Sequence, residues 1–321
     1  MTGCKKIRNE QVKAVVLGHA VGDALGVPVE FCMREELDAC PVTDMRGFGT
    51  YPVPAGCWSD DTSLSLAALD SLREGRVDME DVMLRMAEWY YDFCYTPMGI
   101  VFDVGRTCER AIVRYVTEHR GAVVCGLTDE RSNSNGSLMR IYPFVLFAYL
   151  TDAPQPSWER MIDDAFSLTH AHERSRLACK IYASVLLSLL RRPEREAVRE
   201  ALAEAAARYG DCAEYPHLSR VLTEDISAFS RDKIQSTGYV VDTLEAAIWC
   251  LLTTNSYKAC VLSAVNLGDD TDTVAAVAGS LAGALYGLSA IPAPWLATLR
   301  RRAYLEELCE ALTDAPLCQY Q

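Results

Sequence analysis

The chain has 321 residues, of which 50% are hydrophobic, and a formal charge of −13 at pH 7. This is enough material for a sizeable core in one large domain or two ordinary ones. The acidic balance argues against nucleic acid as a partner, because phosphate binding needs clustered Lys and Arg. The 13 cysteines contain no Cys-x-x-Cys pair, so we expect reduced thiols in a cytoplasmic protein rather than disulfides or a zinc site.

Apolar residues recur at the helical spacing along most of the chain, and alternation with a period of two is scarce. The first predicted helix, over 12–25, carries Gly18, Gly22 and Gly26, whose spacing allows a neighbouring helix to approach closely. A long loop rich in Pro and Gly is predicted over 31–57, another loop over 95–105, and irregular structure over 121–143. Further helices are predicted over 62–72, 79–91, 107–117, 144–150, 158–168, 173–190, 194–209, 241–252, 257–266, 273–288 and 294–312.

No targeting or membrane segment is predicted from this pattern. No unbroken apolar run follows the N-terminal residues, and the most apolar stretch, 274–288, is shorter than the ~20 residues that a membrane span needs. We therefore expect this stretch to be a core helix of an all-α protein. Because two acidic stretches far apart in the chain need each other, a single domain over 1–321 is favoured over two.

These two acidic stretches are Ser59–Thr62 and Asp269–Thr273, and each combines carboxylates with hydroxyls. Such residues cap helix N-termini, where acids also suit the dipole, but one cap needs one residue and not four. Adjacent carboxylates repel each other unless a cation relieves them. Asp270 and Asp272 converge only if the turn before their helix is irregular. The ligands are hard oxygens, which favours Mg²⁺, Mn²⁺ or Ca²⁺ over Zn²⁺ or Cu²⁺.

Three other features are weaker when each is taken alone. Small polar residues over 134–140 can form a phosphate site at a helix start or an ordinary turn, and the turn is favoured. For His170 and His172 a capping or core role is the default. A single Glu30 after a proline carries little information by itself.

Taken together and in this order, the motifs resemble those of the ADP-ribosylglycohydrolase family. The motifs that carry the resemblance are Gly22-Asp23-x-x-Gly26 through Glu30, Ser59-Asp60-Asp61-Thr62, Asn135-Gly136-Ser137-x-Met139-Arg140, Thr169-His170 and Gly268-x-Asp270-x-Asp272-Thr273. The resemblance covers nearly the whole chain. It implies an all-α, single-domain, compact orthogonal bundle of about a dozen or more helices, with two divalent cations, Mg²⁺ or Mn²⁺, at its centre.

The resemblance also implies roles for individual residues. The implied metal ligands are Ser59, Asp60, Asp61, Asp270, Asp272 and Thr273, and the implied catalytic residues are Glu30, Asp61 and Asp270. The implied substrate contacts are Asp23, Gly99, Asp103, Gly105, Ser132, Asn133, Asn135, Gly136, Ser137 and His170. Ser59 stands where the family often has Thr. Asn133 and Ser134 stand where some relatives hold adenine with an aromatic residue and a Gly, so the grip on adenine is left open.

The implied reaction is hydrolysis of the bond between C1″ of ADP-ribose and a side chain of a modified protein, with arginine as the first choice of acceptor. ADP-ribosyl-serine, O-acetyl-ADP-ribose and an ADP-ribosylated nucleobase are the alternatives, as is a non-catalytic, crystallin-like member of the family. A helical isoprenoid synthase also uses two acidic motifs with Mg²⁺, but it needs a third Asp four residues after the first, where this chain has Leu64. We expect a monomer that acts on an ADP-ribosylated protein without contacting a membrane.

Overall fold

Residues 3–320 are described by a computed structural model in which fifteen α-helices alternate with loops and short 3₁₀ turns. The helices are α1 (Gly3–Gly26), α2 (Arg34–Ala39), α3 (Asp60–Leu72), α4 (Met79–Asp92), α5 (Arg106–Glu118), α6 (Tyr142–Leu150), α7 (Gln155–Ser167), α8 (Glu173–Arg191), α9 (Arg195–Tyr209), α10 (Tyr215–Thr223), α11 (Val240–Thr253), α12 (Tyr257–Val265), α13 (Thr271–Tyr286), α14 (Ala293–Thr298) and α15 (Arg302–Asp314). No strand occurs over 3–320, and the prediction of an all-α protein is confirmed.

Helices α1 and α13 cross the centre of the molecule side by side in opposite directions. Their backbones nearly touch: a Cβ added to Gly18 would lie 2.5 Å from the carbonyl oxygen of Gly279, and one added to Gly22 would lie 2.1 Å from that of Ala275. Glycine is required here because any side chain would force the helices apart. This close contact brings the C-terminal end of α1 against the N-terminal end of α13, where the second acidic stretch lies.

The core packs around this pair and draws buried residues from helices along the whole chain, from Val12 to Leu312. One segment, Lys5–Val29, is long and apolar enough to cross a membrane by length and composition, and 94% of its apolar window is buried inside the protein. This burial is what a core helix shows. Every residue of α3 is also buried, including its acidic first turn. The twelve cysteines with described side chains are all free.

Two short helices were not predicted, and one predicted helix is divided. Helix α2 starts where the carboxylate of Glu36 accepts the backbone N–H of Met33 (2.9 Å), and α10 begins next to a proline and buries an apolar face. The prediction of one helix over 294–312 was wrong. The chain ends α14 at Thr298 and restarts after Arg301, whose φ of 45° is left-handed and whose guanidinium donates to the carbonyl of Thr96 (2.8 Å).

Candidate active site

The two acidic stretches meet because each forms the start of a buried helix. Ser59 is the N-cap of α3, and its hydroxyl oxygen accepts the N–H of Asp61 at 3.3 Å. The second stretch is an irregular turn, as predicted: Gly268 and Asp269 have φ of 81° and 64°, and α13 begins directly afterwards. The two stretches are joined at Asp61, whose Oδ2 accepts the hydroxyls of Ser59 (3.0 Å) and Thr273 (3.1 Å).

Asp23, near the end of α1, holds the first acidic stretch in place by accepting hydrogen bonds from it. Its Oδ1 accepts the N–H of Ser59 (2.9 Å), and its Oδ2 accepts both the N–H (3.1 Å) and the hydroxyl (2.6 Å) of Thr62. Burial raises the pKa of Asp23 to about 7, while these hydrogen bonds oppose the shift. The side chain is fully buried and turned away from the substrate contact that the resemblance implied, so it acts on the helix start.

A cavity of about 920 Å³ opens onto this junction and has the size of a small-molecule site. Of the predicted site residues, those that line it are Glu30, Asp60, Asp103, Gly105, Ser132, Asn135, Gly136, Asp270 and Thr273. Those that lie outside its wall are Asp23, Ser59, Asp61, Gly99, Asn133, Ser137, His170 and Asp272. Gly99 faces a separate surface cavity beside Tyr95 and Arg301.

The wall opposite α3 is held by buried hydrogen bonds. The amide nitrogen of Asn135 donates to Asp270 Oδ2 and to Thr243 Oγ1, both at 2.9 Å. His170 lies behind the wall, with Nε2 2.8 Å from Ser134 Oγ and Nδ1 2.8 Å from Thr169 Oγ1. Burial lowers the pKa of His170 to about 3, so the ring is neutral. It therefore positions Ser134 rather than reaching into the cavity.

Two further predictions for this region have different outcomes. His172 is the N-cap of α8, since its Nδ1 accepts the N–H of Arg174 at 3.2 Å, so the capping role is confirmed. Asn133 has its amide turned away from the cavity. Its Oδ1 accepts the hydroxyl of Ser175 (2.9 Å), and its Nδ2 donates to the carbonyl of Glu130 (3.1 Å).

Four carboxylate oxygens at the junction are buried and have no hydrogen-bond partner in the described part of the chain. They are Glu30 Oε2, Asp61 Oδ1, Asp270 Oδ1 and Asp272 Oδ2. A buried charge without a partner is costly, and such oxygens fit a bound cation. Carboxylate oxygens of Glu30, Asp103 and Asp272 also lie within 4.8 Å of one another, close enough to share one ion.

Without a cation, this crowding changes the proton affinity of the whole group. Burial, followed by repulsion from neighbouring carboxylates, raises the pKa of Asp61 and Asp272 well above the ordinary value. The same causes raise the pKa of Glu30 to about 9, and burial raises that of Asp270 to about 6. The site thus has more acidic groups than it can ionise alone, so a positive ligand is required for all of them to be charged.

Tyr51 is a site residue that the sequence analysis missed. Burial raises the pKa of its phenol, and the nearby carboxylates of Asp103 and Glu30 raise it further. Its ring lies 5.0 Å from that of Phe102, and both rings pack on a small apolar cluster separate from the main core. The signal was weak, because a single Tyr in a loop rich in Pro and Gly has no periodicity.

Comparisons with known proteins identify the family that this chain resembles along its length. The ADP-ribosylglycohydrolase family model matches residues 5–320. The ADP-ribosylarginine hydrolase Tri1 of Serratia proteamaculans is 33% identical over 314 residues, which cover 94% of this chain and 79% of that protein. The ADP-ribosyl-dinitrogen reductase glycohydrolase of Rhodospirillum rubrum is 32% identical over 294 residues, which cover 91% of this chain and 90% of that protein. A solved structure of an ADP-ribosylglycohydrolase-related protein complex has a TM-score of 0.80 and 34% identity, and covers 96% of this chain and 98% of that one.

Proposed function

The chain belongs to the ADP-ribosylglycohydrolase family, and from this premise we propose that it hydrolyses the bond joining ADP-ribose to an arginine side chain of a modified protein. The arginine linkage is supported by the Serratia relative, whose name is ADP-ribosylarginine hydrolase. The observation that carries the proposal is the set of four unpartnered, buried carboxylate oxygens where the cavity meets α3 and α13. The proposed location is the cytoplasm.

The proposed cofactor is a pair of divalent cations, Mg²⁺ or Mn²⁺. The residues that would hold them are Ser59, Asp60, Asp61, Asp270, Asp272 and Thr273, all of which offer hard oxygen atoms. The unpartnered oxygens of Asp61, Asp270 and Asp272 support this set. When bound, the cations would supply positive charge to the ribose hydroxyls and lower the pKa of a water molecule.

The other residues of the cavity bind, orient and move protons. Burial raises the pKa of the Glu30 carboxyl, and Asp103 and Asp270 raise it further in the absence of a cation, so Glu30 is the proposed carrier of the catalytic proton. A carboxyl in this state is able to protonate the departing side chain. Asp103 lies on a loop tied to the first acidic stretch by the N–H of Gly105, which donates to Asp60 Oδ2 at 3.3 Å. Negative charge around C1″ stabilises an oxocarbenium-like transition state.

The test is a release assay on purified substrates that carry ADP-ribose on arginine, on serine, on acetyl or on a nucleobase, with Mg²⁺ and Mn²⁺ compared. We expect the arginine conjugate to be cleaved fastest, and chelation to abolish the activity. Asp272→Ala is expected to abolish release, because it removes a buried oxygen ligand. Glu204→Ala is the matched control, since Glu204 is an exposed acid on α9, and it should retain full activity.

Binding is measured alongside turnover. ADP-ribose should raise the Tm only when Mg²⁺ or Mn²⁺ is present, because a ligand of the folded state stabilises it. Faster cleavage of another conjugate would replace arginine as the acceptor. Binding of ADP-ribose without cleavage of any conjugate would favour a non-catalytic member, and neither binding nor cleavage with either metal would refute the proposal.

A further inference from the structure

Three arginines line the same cavity as the carboxylates and have no partner of their own. Arg106, Arg110 and Arg131 are exposed, and none of them has a side-chain hydrogen bond or an ion pair within 3–320. Most other arginines of the described chain are paired, as Arg85 is with Asp81 and Asp70. In a protein with a formal charge of −13, three free guanidinium groups in one cavity form a local positive field.

The arginines lie on two walls of the cavity, and each wall begins at the acidic junction. One wall is α5, which starts next to Asp60, where Gly105 donates to its carboxylate at 3.3 Å. Arg106 follows at once, and Arg110 is one turn farther, about 6 Å along the axis. Arg106 and Arg110 are four residues apart and therefore share a helix face.

The second wall is the segment from Asn135 back to Arg131, which also starts at the acidic junction. Asn135 is bonded to Asp270 at 2.9 Å, and Arg131 precedes Asn135 in the chain on a short 3₁₀ turn. Both walls line one cavity, where Asp129 lies next to that turn; its pKa is lowered first by the hydroxyl of Ser132, at 2.7 Å, and also by Arg110. The cavity therefore runs from an acidic end to a cationic end.

Among the described residues that line the cavity, the cationic end has no aromatic side chain. Phe31 is the one aromatic in the lining, and it follows Glu30 at the acidic end, with its N–H donating to the carbonyl of Asp269 at 2.7 Å. Asn133 is turned away from the cavity and bonded to Ser175. Guanidinium planes are able to supply a flat surface for a base at this end, because they stack on bases as aromatic rings do.

We propose that Arg106, Arg110 and Arg131 hold the adenosine diphosphate part of the substrate: they pair with the phosphates, and the planes of Arg110 and Arg131 take the place of an aromatic clamp on adenine. This inference rests on the proposed function for its choice of ligand. An arginine can do both, because its planar fork bonds two phosphate oxygens and its faces stack. The arginines thus determine specificity for the nucleotide, while the acids act on the distal ribose.

The probe is ADP, which carries the phosphates and adenine but lacks the distal ribose. Its affinity is measured by calorimetry at saturating Mg²⁺ for the wild type, Arg110→Ala, Arg131→Ala and the double variant, at two salt concentrations. Each single change should weaken ADP binding roughly tenfold or more, as expected for charge-assisted hydrogen bonds, and the salt dependence should be smaller in the double variant. KM for the ADP-ribose conjugate should rise by a similar factor with kcat little changed.

One further variant separates the effect of charge from that of stacking, and another controls for the loss of an arginine outside the cavity. Arg110→Lys keeps the charge but loses the planar fork, so it should recover only part of the affinity; full recovery would overturn the stacking part of the proposal. Arg160→Ala, on the exposed face of α7 and outside the cavity, is the matched control and should bind ADP normally. An unchanged Tm in the Arg variants excludes unfolding as the cause.

The outcomes for this inference and for the proposed function are distinct. Failure of the wild type to bind ADP, or wild-type affinity in the double variant, overturns the role of the arginines even if the conjugate is cleaved. Arginine-dependent binding of ADP by a protein that cleaves no conjugate supports the nucleotide site and refutes the proposed reaction.

Discussion

Asp23→Asn is the most informative single substitution, because it removes one oxygen from a buried carboxylate that holds the first acidic stretch. The carboxylate accepts the backbone N–H of Ser59 at 2.9 Å and that of Thr62 at 3.1 Å, one on each oxygen. An amide of the same size has one acceptor oxygen, so its NH₂ group must face one of these N–H donors. The start of α3 would then lose a bond and gain a donor–donor conflict.

The size of the effect follows from these contacts. A hydrogen bond to a charged group contributes about 1.5–3 kcal/mol, and leaving a buried donor unpaired costs about 1–3 kcal/mol. Removal of a desolvated acid whose pKa is raised to about 7 offsets part of this loss. We expect a net destabilisation of about 2–4 kcal/mol, which lowers the Tm by roughly 3–6 °C in a chain of this size.

The functional effect should be larger than the loss of stability suggests. Groups that orient metal ligands typically change metal affinity or activity by about 10–100-fold when they are mutated. We therefore expect the Mn²⁺ concentration for half-maximal release of ADP-ribose to rise by at least about tenfold. Because the ligands themselves remain, excess Mn²⁺ should restore part of the activity.

The control is Asp78→Asn, at another helix start. Asp78 caps α4 by accepting the N–H groups of Glu80 and Asp81, each at 3.2 Å, and Asn is a good N-cap. This variant should lose only a few tenths of a kcal/mol and keep its metal dependence. If Asp23→Asn shows wild-type Mn²⁺ dependence and turnover, the reasoning that Asp23 positions the site is refuted.

Three other outcomes are expected from the same structure. Gly26→Ala should cost about 1–3 kcal/mol and weaken stabilisation by metal, because its Cβ would lie 2.3 Å from the Cα of Asp272. Gly210→Ala, at an exposed helix end, is the control, and a Gly26→Ala protein whose Tm equals that of the wild type both with and without metal would contradict the packing argument. Since Glu30 and its neighbours have raised pKa values, the metal-free fold binds more protons than the unfolded chain, so its stability should fall as the pH rises from about 4 towards 9. Mg²⁺ should therefore raise the Tm more at pH 8 than at pH 5, and a thermal-shift series showing the reverse order would exclude this linkage. Tyr51→Phe keeps the ring contact with Phe102 but removes the phenol hydroxyl that interacts with Asp103 and Glu30, so kcat/KM should fall roughly tenfold, and unchanged steady-state kinetics would show that the phenol has no role.

The sequence alone was sufficient for most of the longer helices and for the concentration of acids. Regular apolar spacing depends on local geometry, so α3, α4, α8 and α11 begin and end within about two residues of their predicted bounds. Two carboxylate-rich helix starts are also a local feature. The irregular turn at 268–270 could be deduced because Asp270 and Asp272 point apart on a regular helix.

The relative positions of these parts were decided by tertiary packing. The direct contact of the α1 and α13 backbones places Gly26 and Glu30 beside Asp272, and no local pattern fixes which helices meet. Packing also turned Asn133 away from the cavity and put His170 behind Ser134. The three arginines share no motif, because they come from a helix and a turn that converge only in the fold. The sequence therefore determined which chemical groups were present, whereas long-range contacts between buried surfaces decided which of them face one another.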